Sequence, residues 1–256
     1  MTTFVLVPGA WLGGWCWQPV ADQLRARGHH VYPVTLSGLG ERVHLASPQV
    51  NLDTHIADIV NLLEYEDLHD VVLLGHSYGG TPVTGAAARA AERIAQVVYL
   101  DSAPIPADTA FLDAWPPEAR AHVERKVAEH GDGWRLPMPS WEELETVNGA
   151  SLAGLDDAQR AHMRSRATPQ PFATYSQPLR LANPTHDPLP SVAILNSFTL
   201  AQVRELQANG HPWGLAMSGP HWSFVELPTG HWPMFSIPQA LADLLHDLAS
   251  APPVPA

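Results

Sequence analysis

The chain has 256 residues, 45% of them hydrophobic, enough for one large domain or a core domain with an insertion. Its 14 Lys and Arg face 26 Asp and Glu, a net charge of −12, which argues against nucleic acid or an anionic membrane surface as partner. One cysteine excludes internal disulfides, no apolar run can span a bilayer, and no basic region precedes the first short apolar run, so the expectation is a soluble, cytoplasmic protein.

Phe4 to Val7 reads as a buried strand. It runs into a Gly-rich loop with large aromatics, Pro8-Gly9-Ala10-Trp11-Leu12-Gly13-Gly14-Trp15. Cys16 sits among tryptophans with no charged neighbour and reads as packing rather than a nucleophile. Trp17 to Arg27 reads as a helix ended by Gly28, and Val31 to Leu36 as the next strand. Ser37-Gly38-Leu39-Gly40 is a turn, followed by polar loop to Val50. Leu52 to Leu63 carries Leu52, Ile56, Ile59, Leu62 and Leu63 at helical spacing, with Asp53 in its first turn. Val71 to Leu74 is a strand, Thr81 to Ala91 an Ala-rich helix, and Ile94 to Leu100 a strand closed by Asp101-Ser102-Ala103-Pro104. Strands and helices alternating in this way imply an α/β fold whose mostly parallel strands are joined by right-handed crossovers. Its active site belongs at the carboxyl ends of the strands.

After Pro104 the alternation stops. From Ile105 to about Asp187 the chain is rich in Pro, Trp, Met and charge, with helical patches at Pro117 to Glu129, Trp141 to Val147 and Asp156 to Ser165 and no evident buried strand. This reads as a cap inserted over the catalytic face, rather than a separate domain: residues 105–186 form the cap, residues 1–104 and 187–256 the core. The sheet resumes at Val192 to Leu195, followed by a helix from Leu200 to Asn209 with Gly210 at its end. Trp222 to Leu227 is the last strand, Thr229-Gly230-His231-Trp232-Pro233-Met234 closes it, and Ile237 to Leu248 is the terminal helix. Ala251 to Ala256 is Pro-rich and reads as frayed.

One stretch carries chemistry directly. Gly75-His76-Ser77-Tyr78-Gly79 is a G-x-S-x-G motif between a strand and a helix, the context of a nucleophile elbow. The sharp turn lifts the Ser77 hydroxyl above the sheet and aims it at a helix start. A serine hydroxyl needs a base, and the base an orienting acid. Of fourteen histidines, His231 follows the last strand directly, in a Gly-His loop before the terminal helix. His76 lies within the elbow and reads as structural, His29 and His30 precede a strand at its wrong end, and His186, His211 and His221 read as solvated loop residues. No His/Cys/Asp cluster has convincing metal-ligand spacing. An oxyanion hole needs two N–H groups, expected from Tyr78, after the nucleophile, and from Ala10, in the loop after the first strand.

The segments LVPGAWLGGWCW, LLGHSYGG, YLDSAP, TPQPFATYSQP and PTGHWPM together resemble the α/β-hydrolase branch of plant methylesterases, the salicylate-binding methyl salicylate esterase, plant hydroxynitrile lyases and related bacterial carboxylesterases. The similarity runs along nearly the whole chain. It implies a doubly wound α/β-hydrolase fold with a helical cap, and a cofactor-free esterase acting on small aryl or methyl esters or lactones, as a monomer or homodimer. In that fold the order is Ser, acid, His, which His231 fits. Trp11, Trp115, Trp134, Met138, Phe172 and Trp232 are the residues expected at the substrate. Two alternatives are a cyanohydrin lyase using the same groups and a non-catalytic receptor for a small aromatic ligand. In the branch's lyases a Lys follows the catalytic His and a Thr stands in the oxyanion loop; here those positions are Trp232 and Gly9.

The acid departs from the branch's pattern. After the first strand beyond the cap, where the branch usually carries Asp, this chain reads Asn196-Ser197-Phe198-Thr199. Glu205 lies several residues into a predicted helix, and Asp187 precedes the strand, near the wrong end of the sheet. Asp101 ends the strand after the elbow helix, parallel to the Ser77 strand and next to it in a βαβ unit. The expectation is therefore Asp101, with Glu205 as the alternative.

Overall fold

A computed structural model describes residues 1–181 and 188–250. The expectations for His186, for Asp187 and for the tail from Ala251 to Ala256 fall outside the described residues.

Among the described residues, eight strands and eleven α-helices follow in chain order: β1 (Thr3–Val7), α1 (Gln18–Ala26), β2 (His30–Pro33), α2 (Leu52–Tyr65), β3 (Val71–His76), α3 (Gly80–Arg89), β4 (Ile94–Leu100), α4 (Pro117–His130), β5 (Arg135–Leu136), α5 (Trp141–Thr146), α6 (Asp157–Arg166), β6 (Gln170–Pro171), α7 (Ala173–Ser176), β7 (Ser191–Leu195), α8 (Leu200–Ala208), α9 (Pro212–Ala216), β8 (Trp222–Glu226), α10 (Pro233–Ser236) and α11 (Pro238–Ser250). Six strands form one sheet in the order β2-β1-β3-β4-β7-β8, with every pairing parallel. All six residues of β3 are buried, as are all five of β7, which is why these segments read as continuous apolar runs rather than alternating ones. Helices α1, α2, α3 and α11 turn apolar stripes onto the sheet. In α2 the buried set is Leu52, His55, Ile56, Ile59 and Leu63, and a capping box between Asn51 and Thr54 starts the helix. Cys16 is fully buried, and burial raises its thiol pKa well above the ordinary value, as packing rather than reactivity requires.

The structure differs from the sequence reading in several places, among them the short helices α7, α9 and α10, which the sequence did not suggest. β2 stops at Pro33 instead of reaching Leu36. Val34 N–H still donates to the Leu6 carbonyl (2.9 Å), and then the chain turns so that Thr35 Oγ1 accepts from Gly14 N–H (2.7 Å). The stretch Gly40–Leu45 is a 3-10 helix, not an irregular loop. Between β4 and β7 lies a small antiparallel pair, β5 with β6, where no strand was evident. Strands of two residues are too short to show any alternation. Among the described residues, nothing between β4 and β7 joins the main sheet. Among the described residues, no helix is long and apolar enough to cross a membrane.

Candidate active site

The elbow is built by crowding. A Cβ on Gly75 would lie 2.6 Å from the Gly79 carbonyl oxygen, and one on Gly79 would lie 2.6 Å from that of Pro8. Only glycine lets β3 meet α3, and the elbow meet the loop after β1, at these separations. That second contact brings the Gly9-Ala10 segment against the residue that follows Tyr78. Ser77 itself takes φ +52°, left-handed backbone that costs a non-glycine residue on the order of 1–2 kcal/mol. Its carbonyl is held by the Ser102 hydroxyl at 2.6 Å. Of seven described non-glycine residues with positive φ, three (Trp11, Ser77 and Asp101) line one cavity. Strain held by surrounding packing is characteristic of functional sites.

Ser77 follows β3, Asp101 follows β4 and His231 follows β8, so all three stand at the carboxyl edge of the sheet. His231 Nε2 lies 2.9 Å from Ser77 Oγ, and His231 Nδ1 lies 2.6 Å from Asp101 Oδ2. The Asp101 side chain is 1% exposed and that of His231 15%. The segment Asn196-Ser197, which holds no carboxylate, supplies donors instead. The N–H groups of Asn196 and Ser197 reach Asp101 Oδ1 at 3.1 and 2.8 Å, and the Ser197 hydroxyl donates to Oδ2 at 2.5 Å. Burial by itself would push the Asp101 pKa up. The hydrogen bond and charge of His231, with the two bonds from Ser197, outweigh it and hold the carboxyl below its ordinary range. Glu205 lies on the cavity wall, but both ring nitrogens of His231 are already taken by Ser77 and Asp101.

A cavity of about 630 Å³ opens over Ser77 and His231. Trp11, Trp115 and Trp232 line it, as the sequence suggested. Trp134, Met138 and Phe172 do not, and the β5–β6 pair explains where they went. Phe172 N–H donates to the Trp134 carbonyl (2.7 Å), the Arg135 guanidinium covers the Trp134 ring, and Arg164 binds the Met138 carbonyl (3.1 Å). Met138 and Phe172 pack on the core. The same pair reaches the site through Trp11, whose N–H donates to Gln170 Oε1 (3.1 Å) and whose indole donates to the Leu136 carbonyl (3.0 Å).

Several site residues went unnoticed in the sequence. Phe198, Leu206, Trp213 and Met217 bring α8 and α9 to the wall of the cavity. Their spacing marks a core helix equally well, so no local signal separates the two roles. His55 is the other. It is fully buried, with Nδ1 2.9 Å from the Tyr78 hydroxyl and Nε2 2.9 Å from the Ser37 carbonyl, and it anchors the side chain of the residue after Ser77. A histidine inside an otherwise apolar helix stripe is the trace it leaves in the sequence.

A serine hydroxyl bonded to an imidazole, itself bonded to a buried carboxylate, can move a proton from the hydroxyl as the oxygen attacks a carbonyl. Comparison with known proteins identifies the family. The model of the alpha/beta hydrolase family matches residues 4–244. A carbendazim hydrolyzing esterase of Nocardioides sp. (strain SG-4G) is 36% identical over 253 residues, covering 96% of this chain and 98% of that one. A pyrethroid hydrolase of Sphingobium wenxiniae is 27% identical, covering 98% of this chain and 89% of that one. Among solved structures, an extracellular alpha/beta-hydrolase from a Paenibacillus species, which shares structural and functional homology with Tobacco Salicylic Acid Binding Protein 2, superposes with a TM-score of 0.78 at 23% identity, over 98% of this chain and 100% of that one.

Proposed function

The chain belongs to the alpha/beta hydrolase family and is a carboxylic ester hydrolase, and on that premise we propose that Ser77, His231 and Asp101 are its catalytic triad. The observation that carries the proposal is the pair of bonds at His231, 2.9 Å to Ser77 Oγ and 2.6 Å to Asp101 Oδ2. His231 takes the Ser77 proton as the oxygen attacks the ester carbonyl. The oxyanion forms between the backbone N–H groups of Ala10 and Tyr78, the latter in the turn just ahead of α3, whose dipole favours negative charge at that end. His231 then gives its proton to the departing alcohol. A water activated by the same ring releases the acid from the acyl-enzyme. Asp101 stays ionised throughout and stabilises the imidazolium.

The substrates in this reading are small esters, aryl or methyl esters or lactones, bound in the cavity beneath a cap formed by residues 105–186. Trp11, Trp115 and Trp232, together with Phe111 and Tyr175, give that cavity aromatic walls suited to flat or bulky apolar groups. The lone buried cysteine supports a cytoplasmic location, since no disulfide calls for an oxidising compartment. A panel of aryl esters, methyl esters and lactones, assayed with wild type and Ser77→Ala, tests the mechanism. The variant should lose kcat by orders of magnitude while keeping its melting temperature, and near wild-type turnover in it would refute the triad.

A further inference from the structure

We propose that His76 and the cap segment 148–155 are positioning elements for the base: they hold the two peptide groups of His231 from opposite sides, so that docking of the cap and placement of the imidazole are one event. The inference rests on the reading of His231 as the base.

His231 sits in a loop, and loops are mobile unless their backbone groups are tied down. Here both are tied. The His231 carbonyl accepts from His76 Nε2 at 2.7 Å. The His231 N–H donates to the Ser151 carbonyl at 2.8 Å, and the Gly230 N–H to that of Ala153 at 3.1 Å. The approach on the cap side is close enough to forbid a side chain. A Cβ on Gly230 would lie 2.4 Å from the Ala153 oxygen and 2.6 Å from the Ser151 oxygen. On the elbow side, His76 directly precedes Ser77. The bonds from His76 to the His231 carbonyl and from His231 Nε2 to Ser77 Oγ therefore close a small ring between the dipeptide His76-Ser77 and the single residue His231. The separation of nucleophile and base is set within that ring.

The chemistry of His76 fits a donor and not a packing residue. Its ring is fully buried, edge-on to Trp17, and Nδ1 has no hydrogen-bond partner among the described residues. A buried, unpaired acceptor is a cost that phenylalanine would avoid. What phenylalanine lacks is the Nε2 proton aimed at the His231 carbonyl. Burial, reinforced by the neighbouring His231 ring, lowers the His76 pKa to about 3. The ring is therefore neutral near pH 7, and the His231 carbonyl keeps its one proton on Nε2. On the other side, Asn148, Gly149 and Ala150 line the cavity and run straight into Ser151. A substrate pressed against them pushes on the segment that holds the His231 amide.

Gln and Asn at position 76 separate the roles. The amide nitrogen of Gln matches the reach of His Nε2, whereas that of Asn stops where Nδ1 stood. Turnover of 4-nitrophenyl acetate by His76→Gln should stay within about fivefold of wild type, while His76→Asn should lose about 30–100-fold in kcat with KM changed less than about threefold, the penalty for a base displaced by a fraction of an ångström to one ångström. Labelling of Ser77 by phenylmethanesulfonyl fluoride should slow in parallel with kcat, because it needs the same base. Gly230→Ala approaches from the cap side and should lower kcat at least about tenfold, which decides the matter if His76→Asn does not fold. Equal kcat in the Gln and Asn variants, or wild-type kcat in folded Gly230→Ala, overturns the inference while an inactive Ser77→Ala leaves the triad intact. Full activity of Ser77→Ala would overturn both.

Discussion

Replacing Asp101 by Asn tests the acid with almost no change of shape. Oδ1 of Asp101 accepts two backbone N–H groups, from Asn196 and Ser197. An asparagine must keep its carbonyl oxygen there, because an NH₂ group would face two fixed donors. Its NH₂ then occupies the Oδ2 position, 2.6 Å from His231 Nδ1. Only an unprotonated Nδ1 can accept from it, so the His231 proton moves to Nε2, which faces Ser77 Oγ. A protonated Nε2 cannot take the hydroxyl proton, and the carboxylate that balances the imidazolium is gone as well. Loss of both functions costs up to ~10⁴ in kcat in triads of this kind, or about 5 kcal/mol of barrier at 1.36 kcal/mol per decade. The assay is kcat for an aryl ester between pH 7 and 9, with circular dichroism to confirm the fold. Raising the pH should recover little, because the tautomer is set by the amide and not by titration. A loss below tenfold would refute the assignment. Glu205→Gln is the comparison: with both His231 nitrogens occupied, its kcat should fall by less than tenfold, and a dead Glu205→Gln beside an active Asp101→Asn would move the acid role to Glu205.

Trp115→Ala, at the cavity wall against Phe111 and Tyr175, should reorder an ester panel by tenfold or more between bulky and small substrates. Phe172→Ala, half-buried behind the cavity, should lower every substrate alike and cost about 2 kcal/mol of stability in denaturant titration, less than a fully buried Phe; a selective change there would contradict its placement. Mandelonitrile should release no cyanide in a Ser77-dependent manner, because buried Trp232, edge-on to His231 at 4.8 Å, offers no positive charge to a departing anion; cyanide above background would refute this. Acid should destabilise the fold well above pH 4. His55 and His76 are lowered by burial to about 4 and about 3, so below the ordinary value of about 6.5 the unfolded chain binds protons that the folded chain refuses, and stability falls with pH until those lower values are reached. Between pH 7 and pH 5 each contributes about 2 kcal/mol of loss by this linkage. Denaturant midpoints at the two pH values should show it, His55→Gln should remove about half, and a flat profile would refute the neutral buried state of both rings.

Much of this was legible in the residues alone. Buried parallel strands are runs of apolar residues, and amphipathic helices between them repeat every three to four positions, so the six sheet strands and their partners α1, α2, α3, α8 and α11 follow from local pattern. The elbow is local too, since its strain needs glycines at fixed spacing, and His231 is marked by its place between the last strand and the terminal helix. What chain order cannot express is which strand ends stand side by side. The sheet runs β3-β4-β7, so the end of β4 lies between the Ser77 turn and the Asn196-Ser197 turn. That placement is what lets a segment without a carboxylate furnish three donors to Asp101. The two-residue strands β5 and β6 have no period to detect, yet their pairing turns Trp134 and Phe172 away from the cavity and fixes Trp11 at it. The walls from α8 and α9, and the hold of His76 and Ser151 on the His231 backbone, join residues up to 155 positions apart. Such contacts form only when the sheet closes and the segment carrying Ser151 packs against it, because their partners meet through tertiary packing and not through any repeat in the chain.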